Sequence, residues 1–112
     1  MKKLIWLDDV RNPLEKNWLS FSPLEPNKPV EVNWIKSYTE FVCWIKQNGL
    51  PDAICFDHDL GTEMTGYDCA KWLVEYCMEN GCQLPLWNIQ SSNPVGKDNI
   101  NSLFNSFIKN SP

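Results

Sequence analysis

The sequence has few of the features that mark several functional classes. It contains one histidine, and its five cysteines include no Cys-x-x-Cys pair, so a zinc site is not expected. Its net charge of -4 argues against an extended nucleic-acid groove that binds by bulk electrostatics. No apolar run approaches the length that spans a bilayer, so no membrane association is predicted. A small phosphate-containing substrate or nucleotide, held by a metal ion and an arginine, remains compatible with this charge.

The length of 112 residues predicts a single domain, residues 1–112, with a core that needs no metal or disulfide. The apolar run after the N-terminal lysines ends after four residues, which is too short for a signal peptide. Cys43, Cys55, Cys69 and Cys77 fall in predicted strands or helices, which is typical of reduced, buried thiols in a cytoplasmic protein. Most of the six tryptophans are expected in the core, and Trp18, in a predicted loop, is the best candidate for exposure.

Two short apolar runs lead directly into acidic residues. Residues 53–56 precede Asp57, and residues 4–7 precede Asp8 and Asp9. Such runs are typical of strands buried in a parallel sheet, and ligands bind beyond the carboxyl ends of those strands. If the two strands are neighbours, three carboxylates share one crevice, and their mutual repulsion calls for a cation. Carboxylate oxygens suit a hard cation, so Mg²⁺ is the predicted cofactor, with Mn²⁺ as the alternative.

Strands and helices alternate along the rest of the chain. Strands are predicted at residues 3–8, 30–34, 53–56 and 84–90, and helices at 37–48, from 66 to about 79, and from 94 onward. The helix starts carry capping signals, which are Ser37 with Glu40, Thr65 with Asp68, and Asn93 before a proline. The pattern predicts an α/β, three-layer, flavodoxin-like (receiver-like) parallel sheet of about four strands in the order 2-1-3-4.

A long loop takes the place of the first helix in this prediction. Residues 10–29 contain four prolines and show no clear helical periodicity. A loop of this length in a compact domain is usually functional. We interpret it as a cover over the carboxylate crevice.

Three consecutive residues at the end of the central run are candidate catalytic residues. Asp57 is either a metal ligand or a carboxylate nucleophile that forms a transient acyl phosphate. His58 is a general acid or base, or equally a residue that caps a turn. Asp59 offers either its side chain or its main-chain carbonyl to the metal.

Three further residues are candidate phosphate contacts. Ser91 and Asn93 precede the last predicted helix, whose N-terminus suits an anion, although Asn93 alone explains simple helix capping. Arg11 either binds a phosphate through its planar guanidinium or pairs with the neighbouring acids.

Together these residues resemble the receiver domain of bacterial response regulators. That family has paired acids after its first strand, matched by Asp8 and Asp9, and a phosphoacceptor aspartate after its third strand, matched by Asp57. Its hydroxyl residue at the end of the fourth strand is matched by Ser91, and its helix-opening glycine by Gly66. The chain lacks a fifth strand with the receiver lysine, and residues 10–29 replace the first helix. These departures argue against ordinary phosphorelay signalling.

A more specific resemblance is to cyclic-phosphate-processing receiver domains. The pattern of that family is matched by LDDVRNP at residues 7–13, FDHDLG at 56–61, GYD at 66–68 and SSNPVG at 91–96. One departure is Gln90, where the family is expected to have a second histidine. A two-histidine mechanism is then not available, and catalysis would depend on the metal and His58.

The resemblance implies a Mg²⁺-dependent enzyme that hydrolyses cyclic phosphates of nucleotides or RNA ends. The alternative is a signalling or binding receiver module without hydrolytic activity, in which Asp57 accepts a phosphoryl group or the site is degenerate. The sequence leaves the oligomeric state open.

Overall fold

A parallel four-stranded sheet organises the chain, and helices follow its second, third and fourth strands. The computed structural model describes residues 2–14, 22–24, 28–57, 59–61, 63–90 and 93–110. The elements are, in chain order, β1 Lys2–Leu7, β2 Val30–Ile35, α1 Tyr38–Asn48, β3 Ala53–Phe56, α2 Gly66–Asn80, β4 Leu86–Ile89 and α3 Pro94–Asn110.

The strand order β2-β1-β3-β4 confirms the predicted topology, including the edge position of residues 30–34. In the parallel register Leu7 pairs with Phe56, and Phe56 pairs with Ile89. The carboxyl ends of β1, β3 and β4 therefore lie level with one another. β4 is shorter than the predicted strand at 84–90, because its pairing with β3 covers only four residues.

The three helices in the described part of the chain pack on one face of the sheet. Ile5, Leu7, Ile54 and Phe56 point to this face and form one cluster with apolar residues of α1, α2 and α3. A helix layer on one face agrees with the flavodoxin-like prediction. Within residues 8–14, 22–24 and 28–29 no helix precedes β2, as predicted. The predicted arrangement has a third layer on the opposite face of the sheet. Residues 10–29 are the candidates for that layer, and the structure describes only part of them.

The opposite face of the sheet is formed by alternate residues of the same strands. Leu4, Trp6, Ala53 and Cys55 are fully buried there, and Leu24 packs against them. Burying this apolar face is favourable, which is the physical reason for the position of Leu24.

The predicted cover over the acidic crevice is wrong for Pro23 and Leu24, the described loop residues nearest its centre. Pro23 and Leu24 line a cleft with Lys2 and Leu86, which are the first residues of β1 and β4. This cleft lies at the amino ends of the strands, whereas the acids follow the carboxyl ends. Residues 15–21, with Trp18, and residues 25–27 lie outside the described part of the chain.

The helix caps agree with the sequence, with one correction. The Ser37 hydroxyl accepts from the Glu40 N–H at 3.2 Å, but the Glu40 carboxylate accepts from the Lys36 N–H at 3.3 Å. In a capping box the Glu40 carboxylate would accept from the N–H of Ser37, the cap residue itself. Here it accepts from the residue before the cap, so only the bond to the Ser37 hydroxyl is present as predicted. The reciprocal box of Thr65 and Asp68 at the start of α2 is present. Among the described helices, none is long and apolar enough to cross a membrane.

All five cysteines are free thiols. Cys55, Cys69 and Cys77 are buried as expected, and burial raises the pKa of the Cys55 and Cys69 thiols to about 12. The expectation was wrong for Cys43, which is exposed because it lies on the solvent side of α1. Burial of the other three thiols leaves them protonated and inert at neutral pH.

Candidate metal and phosphate site

Three carboxylates meet at the carboxyl ends of the two central strands. Asp8 and Asp9 follow β1, Asp57 follows β3, and one oxygen of each lies within 4.8 Å of the others. Asp8 and Asp57 are buried and Asp9 is half-buried. The Asp57 N–H donates to the Leu7 carbonyl at 3.0 Å, which holds the two strand ends side by side. The structure thus brings together the three acids that the sequence placed in one crevice.

Asp8 shapes the turn after β1 and also faces the crevice. Its Oδ1 accepts from the N–H groups of Val10 and Arg11, each at 2.9 Å. Its Oδ2 lies 3.5 Å from the Arg11 Nη1. Turn formation, an ordinary role of an acid at a strand end, accounts for the Oδ1 of Asp8, whereas its Oδ2 lies toward the guanidinium of Arg11.

Two indole groups hold the backbone of this acidic turn. Trp34 on β2 donates its Nε1–H to the Asp8 carbonyl at 2.7 Å. Trp6 on β1 donates its Nε1–H to the Arg11 carbonyl at 3.0 Å. From the sequence, these tryptophans were expected only to pack in the core. Their hydrogen bonds to the acidic turn were missed, because a hydrophobic pattern does not show which group an indole N–H bonds.

Gly61 lies directly against the carboxylate of Asp9. Its φ of +67° is in the left-handed region, and a Cβ at this position would lie 2.7 Å from the Asp9 Oδ2. Glycine therefore meets two requirements here, a backbone conformation and a close approach. The sequence signal for this close approach was a glycine at the end of the turn that follows β3.

Arg11 links the turn after β1 to the end of β4. Its Nη1 donates to the Gln90 carbonyl at 2.8 Å and lies 3.5 Å from the Asp8 Oδ2. One of the two roles considered for this arginine, pairing with a neighbouring acid, is therefore observed. Its contact with a phosphate stays a prediction.

Asp57 lies in an environment that disfavours its charged form. Burial and the charge of Asp8 raise the pKa of Asp57 to about 6, although Arg11 and a hydrogen bond from the Asp59 N–H oppose them. The charge of Asp9 is a smaller contribution to the same raised pKa. The ionised carboxylate is therefore costly in this crevice, and a nearby cation would relieve that cost.

The other candidate residues from the sequence are not members of the three-carboxylate cluster found in the described chain. The Asp59 side chain is exposed and its backbone N–H serves Asp57, while the three-carboxylate cluster found among the described residues does not include it. The Asn93 Oδ1 accepts from the Gly96 N–H at 3.0 Å, which is the helix-capping role. His58 and Ser91 lie outside the described residues.

The donor set suits a hard divalent cation. Within the described chain, the grouped ligand atoms are carboxylate oxygens from Asp8, Asp9 and Asp57, without nitrogen or sulfur. Mg²⁺ and Mn²⁺ prefer such oxygen ligands, whereas Zn²⁺ usually takes histidine or cysteine. The geometry is thus compatible with Mg²⁺ binding.

Comparisons with known proteins place the chain in a family. The profile described as the cyclic-phosphate processing Receiver domain matches residues 3–106. A solved structure of a fusion that carries amino acids 181–211 of the yeast Spc42 trimeric coiled coil is similar, with a TM-score of 0.60 and 20% identity. The alignment covers 91% of this chain and 61% of that one, and at this identity the likeness concerns the fold alone. The comparison with curated proteins gives no match. The family match spans nearly the whole chain, so this protein belongs to the cyclic-phosphate processing receiver domain family.

Proposed function

We propose that this protein is a Mg²⁺-dependent phosphoesterase that opens cyclic phosphates of nucleotides or RNA ends, with Mn²⁺ as an alternative metal. The observation that carries the proposal is the convergence of Asp8, Asp9 and Asp57 within 4.8 Å. The family match, which is named for cyclic-phosphate processing, supports the substrate class.

The cation would be held by Asp9, Asp57 and the Oδ2 of Asp8, because the Asp8 Oδ1 is occupied by two backbone N–H groups. When bound, a divalent ion supplies a positive charge that polarises a phosphoryl oxygen and lowers the pKa of a coordinated water. The indole bonds of Trp34 and Trp6 keep the acidic turn in place for this role.

A phosphate needs a cation before it can approach three carboxylates. Without one, the acids repel the phosphate, and Arg11 is already engaged with Asp8 and Gln90. In our proposal the positive charge of the Arg11 guanidinium also attracts the phosphate. Ser91 and the N-terminus of α3 supply further donors, as the sequence predicted.

The reaction is a hydrolysis in which one bond forms and one breaks. The oxygen of a water molecule bonds to phosphorus, and one ring P–O bond to the ribose breaks. The released ribose oxygen takes a proton, for which His58, the residue next to Asp57, is our candidate donor. The attacking water releases one proton to the solvent, and the solvent returns one to His58, so the protons balance over the reaction. Asp59 supports the site through its backbone N–H, which bonds the Asp57 carboxylate.

Incubation with 2′,3′-cyclic nucleotides and Mg²⁺ tests the proposal directly. We expect 2′- or 3′-monophosphate products from the wild type, and a loss of at least about 100-fold in rate for Asp57→Asn and His58→Gln. Asp98→Asn, which changes an exposed aspartate of α3, is the matched control and keeps the wild-type rate. A wild type that shows no turnover with either metal would contradict the proposal.

One observation favours a second function for the same site. Asp57 follows β3, the position of the phosphoacceptor in the receiver domains that this chain resembles, and its carboxylate lies beside two further acids. Treatment with acetyl phosphate and Mg²⁺ followed by intact mass measurement separates the two functions. A stable phosphoryl adduct that is absent from Asp57→Asn favours the signalling module over the hydrolase.

We also propose a cytoplasmic location. The support is chemical, because five free thiols are typical of a reducing compartment.

A further inference from the structure

Gln90 follows β4 at the edge of the sheet where Asp8 and Asp57 follow β1 and β3. Its side chain is 8% exposed, and its Nε2 donates to the Leu7 carbonyl at 3.2 Å. The same carbonyl accepts from the Asp57 N–H at 3.0 Å. The amide of Gln90 therefore reaches from the end of β4 across the end of β3 and lies beside the peptide that joins Leu7 to Asp8.

The Oε1 of this amide is buried without a hydrogen-bond partner in the described chain. Exchanging the amide oxygen and nitrogen would not repair this, because the oxygen would then face the Leu7 carbonyl oxygen. The backbone groups of Gln90 are both used, since its N–H donates to Phe56 and its carbonyl accepts from Arg11. An acceptor left unpaired at a buried site costs stability, which points to a partner that arrives with a ligand.

The chemistry of the atom limits what that partner is. An amide oxygen accepts hydrogen bonds or coordinates cations, so it does not serve a phosphoryl oxygen, which is also an acceptor. The neighbouring carboxylates suit a hydrated divalent ion, and Mg²⁺ keeps several waters whose O–H groups are donors.

We infer that Gln90 is a fourth oxygen donor to the divalent ion of the acid cluster, directly or through a water that the ion retains. The inference rests on the proposed function, because it needs an ion between Asp8, Asp9 and Asp57. It assigns a role to the residue that stands where the family is expected to have a second histidine. That role is to position the metal rather than to transfer a proton.

Two substitutions separate the acceptor from the donor of this amide. Gln90→Met keeps the length of the side chain but removes both polar atoms. Gln90→Glu keeps an acceptor oxygen at the Oε1 position, but it adds a negative charge and replaces the N–H that bonds the Leu7 carbonyl with a second oxygen. Calorimetric titration with Mg²⁺ and with Mn²⁺ gives the dissociation constants, and thermal melting without metal gives the stability of each variant.

We expect Gln90→Met to raise the dissociation constant about 5- to 30-fold, since one hydrogen bond to a charged or metal-bound group is lost. Its melting temperature without metal should stay within about 5 °C of the wild type, because an unpaired acceptor is removed together with one bond. Gln90→Glu should bind Mg²⁺ at least as tightly as the wild type.

The outcomes distinguish this inference from the function on which it rests. If the wild type binds Mg²⁺ and Gln90→Met binds equally well, the inference is wrong and the metal site stands. If both variants weaken binding to the same extent, the bond to Leu7 is what matters and the inference is again wrong. If the wild type binds neither metal, the inference and the proposed function both fail.

Discussion

The indole N–H of Trp34 donates to the main-chain carbonyl of Asp8 over 2.7 Å. The bond ties the edge strand β2 to the turn that carries two of the three clustered acids. A backbone bond from the Asp8 N–H to the Ile35 carbonyl at 3.0 Å adds to this connection. The acidic turn is therefore held from β2 as well as from its own strand.

Replacing Trp34 with phenylalanine removes this hydrogen bond and keeps an aromatic ring. We expect the free energy of unfolding to fall by about 1 kcal/mol and Mg²⁺ affinity to fall about 3- to 10-fold. Urea unfolding and calorimetric titration measure the two effects. Trp44→Phe, the same change on α1 outside the site, should leave Mg²⁺ affinity unchanged, and equal effects of the two variants would contradict the role of Trp34.

Gly61→Ala is expected to damage the metal site more than backbone strain alone explains. The new Cβ would lie 2.7 Å from the Asp9 Oδ2, so the Asp9 carboxylate must shift, and we expect that shift to move one metal ligand away from its place in the cluster. Gly81→Ala is a matched control, because its φ of +64° is similar and nothing lies within 4 Å of its Cβ position.

Both glycine variants should lose about 1 kcal/mol of unfolding free energy from the left-handed backbone conformation. Only Gly61→Ala should also weaken Mg²⁺ binding, by about 10-fold, which corresponds to about 1.4 kcal/mol. Equal Mg²⁺ affinity in the two variants, measured by calorimetry, would show that Asp9 does not contribute to the site.

The stability of the metal-free protein should depend on the titration of Asp57. Because its pKa is raised from 3.8 to about 6, the folded state holds a proton that the unfolded state has already lost in this window. The contribution is therefore fully present below pH 3.8 and is lost as the pH rises through about 6. The loss is at most about 3 kcal/mol, from 1.36 kcal/mol per pKa unit.

Urea unfolding in EDTA between pH 4 and 8 measures this dependence in the wild type and in Asp57→Asn. As the pH rises, the unfolding free energy of the wild type should fall relative to that of Asp57→Asn, and this fall should level off about one pH unit above the raised pKa of about 6. Mg²⁺ affinity should rise over the same window, because the ion needs the ionised carboxylate. Parallel pH profiles of the two proteins would rule out the raised pKa.

Arg11→Met should raise the pKa of Asp57 further, because the positive charge of Arg11 lowers it in the wild type. The variant also loses the bond to the Gln90 carbonyl, so its unfolding free energy should fall by about 1 kcal/mol. Carbon-13 NMR of the Asp57 carboxyl gives the pKa. Lys2→Met, at the amino ends of the strands, is the charge-matched control, and the same Asp57 pKa in both variants would contradict the link.

The sequence predicted the parts of the fold that depend on local chemistry. The apolar run of β3 is buried on both faces, and the Thr65 and Asp68 cap is present. Alternating strands and helices predicted a parallel sheet, and the flavodoxin-like strand order chosen for it is confirmed. The meeting of Asp8, Asp9 and Asp57 could be anticipated from the same order, since parallel strands end at one edge.

The rest of the site depends on contacts between residues that are distant along the chain. Gln90 contacts Leu7 from 83 residues away, and Trp34 contacts Asp8 from 26 residues away. A hydrophobic or charge pattern carries no information about such side-chain partners. The position of Leu24 on the sheet was missed for a related reason, because the need to cover an apolar face becomes visible only when all four strands are assembled.

The predictions about Mg²⁺ affinity all require that Asp8, Asp9 and Asp57 bind one divalent ion. A Mg²⁺ titration of the wild type and of Asp57→Ala measures this binding most directly. Melting temperature and calorimetric heat are read together at pH 7. We expect saturable binding with one ion per chain and a higher melting temperature for the wild type, and loss of both effects in Asp57→Ala. Equal responses of the two proteins to Mg²⁺, or none in the wild type, would contradict this expectation.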